Sequence, residues 1–497
     1  MGNSLLKTSL SSFLFPLSSS FFLFLLFLLF LLFLPLSKDN SVNFFALSNI
    51  LYIFVIESTY LYNSMNKTSL TIISFLMGCV MAFPVHAQTS RAELLAHMEL
   101  ATGNYCNYPN PSGNVTQPPA GYEPFYVSHY GRHGARYMTT DKHYKYVVGK
   151  LDTAQTRGWL TDKGEEVLLR VRKAAADAWH RDGDLTRLGA LQHQGIAHRL
   201  ASNYPTLFMQ PVDVKANSST VRRCMLSMAN FCQELKVMNP QLNITMDASE
   251  HDMYYLIPND SIDIPNKGID DHLYEKLDKF RHEKLNGRHQ IGLLFKDPKK
   301  VEDFIDGYKF ADGLWNIASD MHCLPELGLS FNDLFTEDEL IDGFRVYNAS
   351  WCLWEGLMPG SRPNYYAIYP LLRNFLDEAD KVIASGEKQV RLRFGHDSVL
   401  LPFSYILGVK EAVNGTDDME NLHNTFALFR LIPMAGNVQL VFFRKQGSDD
   451  ILVKFLMNEN ETSVPIDTDC YPFYHWKDVS AYYRNMLNNA NIKYKEQ

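Results

Sequence analysis

The chain has no excess of positive charge, no internal repeat and few cysteines. It carries 47 Lys and Arg against 55 Asp and Glu over 497 residues, a formal net charge of −8. A general affinity for nucleic acid is excluded on that balance, and a phosphorylated ligand has to be drawn by a local basic cleft. Without a repeat, residues 88–497 are long enough for one large domain with a smaller one inserted, or for two domains. Of the seven cysteines, Cys106, Cys224, Cys232, Cys323, Cys352 and Cys470 follow an expected cleavage point, and six permit up to three disulfides in fifteen pairings. Cys224 and Cys232 stand eight apart on one expected helix, about 12 Å along its axis, too far to bond each other.

Long apolar runs are confined to the start. Phe21 to Leu34 contains only Phe and Leu, short of the about 20 residues of a membrane span unless Phe13 to Leu17 contribute. From Met65 a complete export signal follows: Lys67, an apolar stretch from Leu70 to Met81, and Val85-His86-Ala87 before Gln88. Residues 1–64 therefore read as a doubtful upstream extension, 65–87 as a signal peptide, and the mature chain as exported, periplasmic or secreted. Two alternatives stand: a membrane anchor through residues 13–36, or a lipid anchor at Cys79, in Leu76-Met77-Gly78-Cys79. Beyond residue 88, seven Asn-x-Ser/Thr sites, Asn114 and Asn243 among them, matter only in a eukaryotic host.

After the apolar stretch Phe125 to Val127 comes the run Arg132-His133-Gly134-Ala135-Arg136, an imidazole between two guanidiniums on a tight loop. The arginines disfavour protonation of His133 and supply forks that bind a phosphoryl dianion bidentately. Gly134 is expected to let the backbone turn closely around the anion. A second basic element begins at Arg223, where RCMLSMANF reads as an amphipathic helix with Asn217, Ser218, Ser219 or Thr220 as its cap. Gln389 to Phe394 alternates as a strand and ends in Gly395-His396-Asp397; Gly183 to Gln194 reads as a Thr-capped helix start with small residues for close packing.

In this order the motifs resemble the histidine acid phosphatases, the phytase branch of the histidine phosphatase superfamily, and most closely the multiple inositol polyphosphate phosphatases. The likeness runs from about Tyr122 to Asp397. It implies that His133 is phosphorylated, that Arg132, Arg136, Arg223 and His396 hold the phosphate, and that Asp397 donates the proton. Two positions depart from the pattern: Met138 stands where a proline is usual, and His396-Asp397-Ser398 replaces the His-Ala-Glu of the inositol polyphosphate branch.

The chemistry also follows from charge alone. A phosphomonoester repels ordinary nucleophiles, so arginines spread over its oxygens and a neutral imidazole in line with the leaving group meet the requirement. An alkoxide leaves poorly, which calls for an acid on the far side, and a carboxyl at a strand's end suits it. That acid must be protonated, so an acidic pH optimum is expected. The reading is a phosphomonoester hydrolase without cofactor or metal, acting on inositol polyphosphates such as phytate or, alternatively, on a broad range of phosphomonoesters. A noncatalytic phosphoester binder would not need both His133 and Asp397. Asp141-Lys142-His143, Gly183-Asp184 and Gly395-His396-Asp397 mimic a two-metal site only loosely, since Arg187 stands where a further acidic ligand belongs and no asparagine precedes His396. Arg222 reads as a solvated charge, and His129 and His193 as structural.

The fold expected is α/β, a mostly parallel sheet flanked by helices around 163–180 and 186–203, with a strand near 211–216. Val438 to Phe443 and Ile451 to Met457 should form a late hairpin. Residues 88–244 and 386–497 would build this core, and 245–385 a mainly helical smaller insert, with helices over Asp270 to Glu283 and Val301 to Ile317. Basic residues in 281–300 could meet further phosphates or form a solvated face.

Overall fold

Three parallel strands end side by side at the residues singled out above. The computed structural model describes residues 91–111, 115–264, 271–412, 415–490 and 492–495; the upstream extension, the leader, Cys79 and Asn114 lie outside them. The sheet contains β1 (Tyr122–Arg132), β2 (Asp213–Ser218), β3 (Asn243–Asp247), β4 (Gln389–Gly395), β5 (Asn437–Lys445), β6 (Ile451–Met457), β7 (Asn460–Glu461) and β8 (Phe473–His475). Its order is β3-β2-β4-β1-β5-β6-β7, with β8 also on β6. The first four in that order run parallel; the late hairpin and its neighbours extend the same sheet antiparallel. Register puts Arg132 opposite Gly395 and Ser218 opposite Phe394. Because β4 enters between β1 and β2, the carboxyl ends of all three converge, where α/β sheets place their ligands.

Alternation along β1 supplies both faces. Tyr126 and Tyr130 enter one core with α9 (Tyr369–Ser385) and α10 (Asp397–Leu407), while Val127 enters another with α3 (Arg187–Asn203) and α4 (Arg222–Met238). A third core joins α1 (Lys142–Thr156) and α2 (Asp162–Asp177) to α6 (Arg288–Leu294), α7 (Gly307–Asp320) and α8 (Glu337–Trp354). The helical part thus draws on 142–177 as well as on later residues, while β3 stays in the sheet to Asp247 and α9 covers it. α5 (Asp271–Lys284) lies against α8.

Local caps explain several boundaries. Thr186 accepts from the Gly189 amide and starts α3 as expected. Val301 to Ile317 is not one helix: Asp306 accepts from the Lys309 amide and starts α7 afresh after a break. Nor is α4 capped by a hydroxyl or amide, since its N-cap is Val221 and makes no side-chain bond; Asn217 instead donates to Asp252 and Ser219 meets His396. The six cysteines beyond residue 88 are free thiols, five of them buried. Cys106, Cys232, Cys323 and Cys352 are spread over the three cores, and burial pushes these four to about 12 and Cys224 to about 11, leaving them protonated. Among the described residues no helix is long and apolar enough to cross a membrane.

Candidate active site

Strand pairing carries straight into the Arg132–Arg136 loop. The amide of Arg132 donates to Gly436 and that of His133 to Gly395, while Ala435 donates back to His133. Beyond the strand, Thr186 and Tyr137 donate to Ala135 and Asp184, and Gly183 donates to Met138. Met138 is buried in the helical core, and this ladder holds the loop where a proline is usual. Gly134 works differently from expectation: its φ is outside the left-handed region, and an added Cβ would lie 2.4 Å from the Gly189 carbonyl oxygen. A Cβ added at Gly189 would in turn lie 2.2 Å from the Ala135 carbonyl oxygen. The two glycines let the start of α3 abut the loop, whose amides are bound by Ser227 (3.1 Å to Gly134) and Gln192 (2.8 Å to Ala135).

All six singled-out side chains meet here. His133, 1% exposed, has Nδ1 2.9 Å from the Gly134 carbonyl oxygen; that contact assigns the proton to Nδ1 and leaves a lone pair on Nε2. Burial, then Arg132, Arg223, Arg136 and His396, hold it well below the usual histidine range. Arg132 is completely buried, with Nη1 donating to the Asn104 carbonyl oxygen at 2.7 Å and Nη2 paired with Asp397 Oδ2 at 2.7 Å. Nη2 is in ionic contact but not aligned for a hydrogen bond, and the Nε atoms of Arg132, Arg136 and Arg223 have no bonding partner among the described residues. Buried guanidinium donors left over in this way suit an anion. Arg136 lies over the Tyr105 ring at 5.1 Å.

His396 is the N-cap of α10. Its Nδ1 accepts from Arg223 at 3.3 Å and its Nε2 donates to Ser219 at 3.2 Å, so both nitrogens are engaged. Burial, with Arg223 next, lowers it to about 4. Asp397 is the first residue of α10, its Oδ1 accepting from the Ser398 amide at 3.0 Å. Burial alone would raise its pKa, but Arg132, Arg136, His396 and Arg223 outweigh that and bring it to about 2. Across the site the rings of His133 and His396 meet edge to face, 5.8 Å apart between centroids.

Four residues at or beside the site were not legible in sequence. Asn104, buried in the helical turn before β1, donates to Asp397 Oδ2 at 3.1 Å while its carbonyl holds Arg132; no pattern in GNYCNYP marks it. Gln192 and Ser227 brace the loop from α3 and α4, and no local pattern in either helix sets them apart. Partly buried Glu355, after α8, is pushed to about 8 by burial and by the charge of Asp397, so a second carboxyl coupled to the site is protonated near neutrality.

Other candidates fall elsewhere. Arg222 is exposed and 3.3 Å from Asp184; His129 and His193 are buried among Phe231 and Phe394. Asp141 pairs with Lys145 at 2.7 Å, Asp184 with Arg222 and Asp397 with Arg132, so the carboxylates of the two-metal alternative each have separate partners. In 281–300, Arg281 bonds Ser350 and covers Trp354, Lys284 pairs with Glu420, His289 with Glu339 and Lys300 with Asp297. Lys284, His289 and Lys300 thus already face carboxylates, which favours the solvated-face reading.

No family model matches the chain. It is similar to multiple inositol polyphosphate phosphatase 1 of Gallus gallus, 23% identical over 426 residues that cover 77% of this chain and 86% of that protein. Among solved structures it is similar to the multiple inositol polyphosphate phosphatase of Bifidobacterium longum in complex with inositol hexasulfate, with TM-score 0.65, 18% identity and coverage of 76% and 96%. The phytase from D. castellii gives TM-score 0.57 at 15% identity, covering 78% and 85%.

Proposed function

We propose that this chain, a histidine acid phosphatase by its fold and the order of its motifs, hydrolyses phosphomonoesters through a phosphohistidine at His133, with inositol polyphosphates such as phytate as leading substrates. One observation carries the reading: a buried neutral imidazole with a free Nε2 lies among three arginines that retain unused donors, beside a carboxyl. The phosphoryl oxygens take up the Arg132, Arg136 and Arg223 donors, and His396 Nε2 exchanges Ser219 for one more contact. Nε2 of His133 attacks phosphorus, the ester P–O bond breaks, and the leaving oxygen takes the proton of Asp397. Water then attacks the phosphohistidine, returns a proton to Asp397 and frees inorganic phosphate.

Similarity to inositol polyphosphate phosphatases and a phytase supports the substrate class. Asp397 directly after His396, with Ser398 next, keeps a broader acid phosphatase as the second reading. Turnover on phytate, glycerophosphate and sugar phosphates, each with EDTA, separates the two. Preference for phytate with no loss in EDTA is expected; equal rates would favour broad specificity, and EDTA inhibition would reject metal-free chemistry. We further take the chain to be exported with its mature start near Gln88. The mass of the mature N-terminus distinguishes this from lipidation at Cys79.

A further inference from the structure

At the far end of β1 from the phosphate site, a second group of side chains brings sulfur, nitrogen and oxygen donors together. Asp469 and Cys470 lie in the loop before β8, and His475 ends that strand. Their donor atoms all lie within 4.8 Å of one another. His475 Nε2 is 3.1 Å from Asp469 Oδ1 and 3.9 Å from Cys470 Sγ. On its other side, His475 Nδ1 lies 2.8 Å from Asp450 Oδ1, and Tyr122 donates to Asp450 Oδ2 at 2.8 Å.

We propose that Asp469, Cys470 and His475 bind one thiophilic divalent cation of the Zn²⁺ type, with water as fourth ligand, as a structural clip unconnected with the hydrolytic reaction. Bond lengths of about 2.3 Å to sulfur and about 2.0–2.1 Å to nitrogen and oxygen place tetrahedral donors about 3.4–3.6 Å apart. The separations of 3.1 Å and 3.9 Å from His475 Nε2 bracket that range, and exposed Asp469 can turn to close the third side. The outer partner is also in place: Asp450 fixes the histidine with its proton on Nδ1 and Nε2 toward the donors, the carboxylate–histidine–metal arrangement. Thiolate with imidazole favours Zn²⁺ over Ca²⁺ or Mg²⁺, which take oxygen donors. On binding, the Cys470 S–H bond gives its proton to solvent as the S–metal bond forms.

Position defines the consequence. Tyr122 and Arg132 open and close the same strand, so the cation would sit about 30 Å from the phosphate at about 3.3 Å per residue. It would join the loop before β8 to the starts of β6 and β1. Binding should therefore raise thermal stability and leave phosphatase turnover unchanged.

The full chain, stripped with EDTA under a non-thiol reductant, is titrated with Zn²⁺ alone by calorimetry. One saturable equivalent is expected, lost in Cys470→Ser and weakened about 10- to 100-fold in Asp450→Asn, with a Zn²⁺-dependent rise in melting temperature in the wild type that Cys470→Ser lacks. Uptake that persists in Cys470→Ser would assign the binding to surface carboxylates and overturn the proposal, as would no uptake by the wild type. Should the variants misfold, Co²⁺ bound to the wild type must show thiolate-to-metal charge-transfer absorption; its absence is equally decisive.

Discussion

Asp397 faces a conflict that substrate has to resolve. As general acid it must carry a proton, yet its pKa is about 2 with Arg132 Nη2 at 2.7 Å, so at pH 5 about one molecule in a thousand is protonated. A phosphoryl or sulfate anion in the site takes Arg132 and offsets Arg136, Arg223 and His396. Burial, the largest influence on this carboxyl and one that favours its neutral form, then prevails, while Glu355 adds no opposing positive charge. A bound-state pKa of about 5 means a shift of about 3 units, worth about 4 kcal/mol of coupling between anion and proton. Inositol hexasulfate suits the test because its sulfates stay ionised across this range. Calorimetry at pH 5 in buffers of different ionisation enthalpy should show uptake of about half a proton, and affinity should rise about tenfold per pH unit below 5. His396 faces the same anion and can contribute, so the share lost in Asp397→Asn is the carboxyl's own. Equal uptake in wild type and variant, or none in either, would refute the reasoning.

The assignment of the acid can be tested by leaving group. Asp397→Asn should lower hydrolysis of alkyl phosphates by about 10²- to 10⁴-fold and that of p-nitrophenyl phosphate far less, whereas Glu355→Gln should show no such split; the reverse pattern would move the acid role to Glu355. Asn104→Ala removes a donor that stabilises ionised Asp397, so the pH–rate profile on phytate should move to higher pH, and an unmoved profile would reduce Asn104 to a packing residue. His129 and His193 are held to about 3 by burial, neutral in the fold but protonated in the unfolded chain below about 6.5. Their contribution to stability is intact above that value and is lost as pH falls toward 3, by about 2 kcal/mol each at pH 5. Urea unfolding at pH 7.5 and pH 5 should therefore show a smaller acid loss in His129→Leu than in wild type; identical losses would contradict the assignment.

What could be read from the sequence was local. Arg132 to Arg136 and Gln389 to Asp397 are contiguous signals in which a strand runs directly into charged residues, and the Thr186 cap lies beside the helix it starts. What could not be read depends on contacts distant in sequence. Asn104 and Asp397 are 293 positions apart, and Gly134 matters because Gly189 comes against it from another element. The break before α7 turned on a single Asp306 cap inside an otherwise helical stretch. Paired basic residues such as Lys284 with Glu420 show why charge in 281–300 did not disclose its use. Helices 142–177 and 288–354 share one core, a pairing that periodicity within either segment cannot register.

Rapid quenching of the enzyme with ³²P-labelled phosphomonoester addresses the covalent step itself. Base-stable, acid-labile label should appear at up to one phosphoryl group per chain, map to the peptide containing His133, and vanish in His133→Ala together with turnover. Label on another residue, or full turnover by His133→Ala, would contradict the phosphohistidine account.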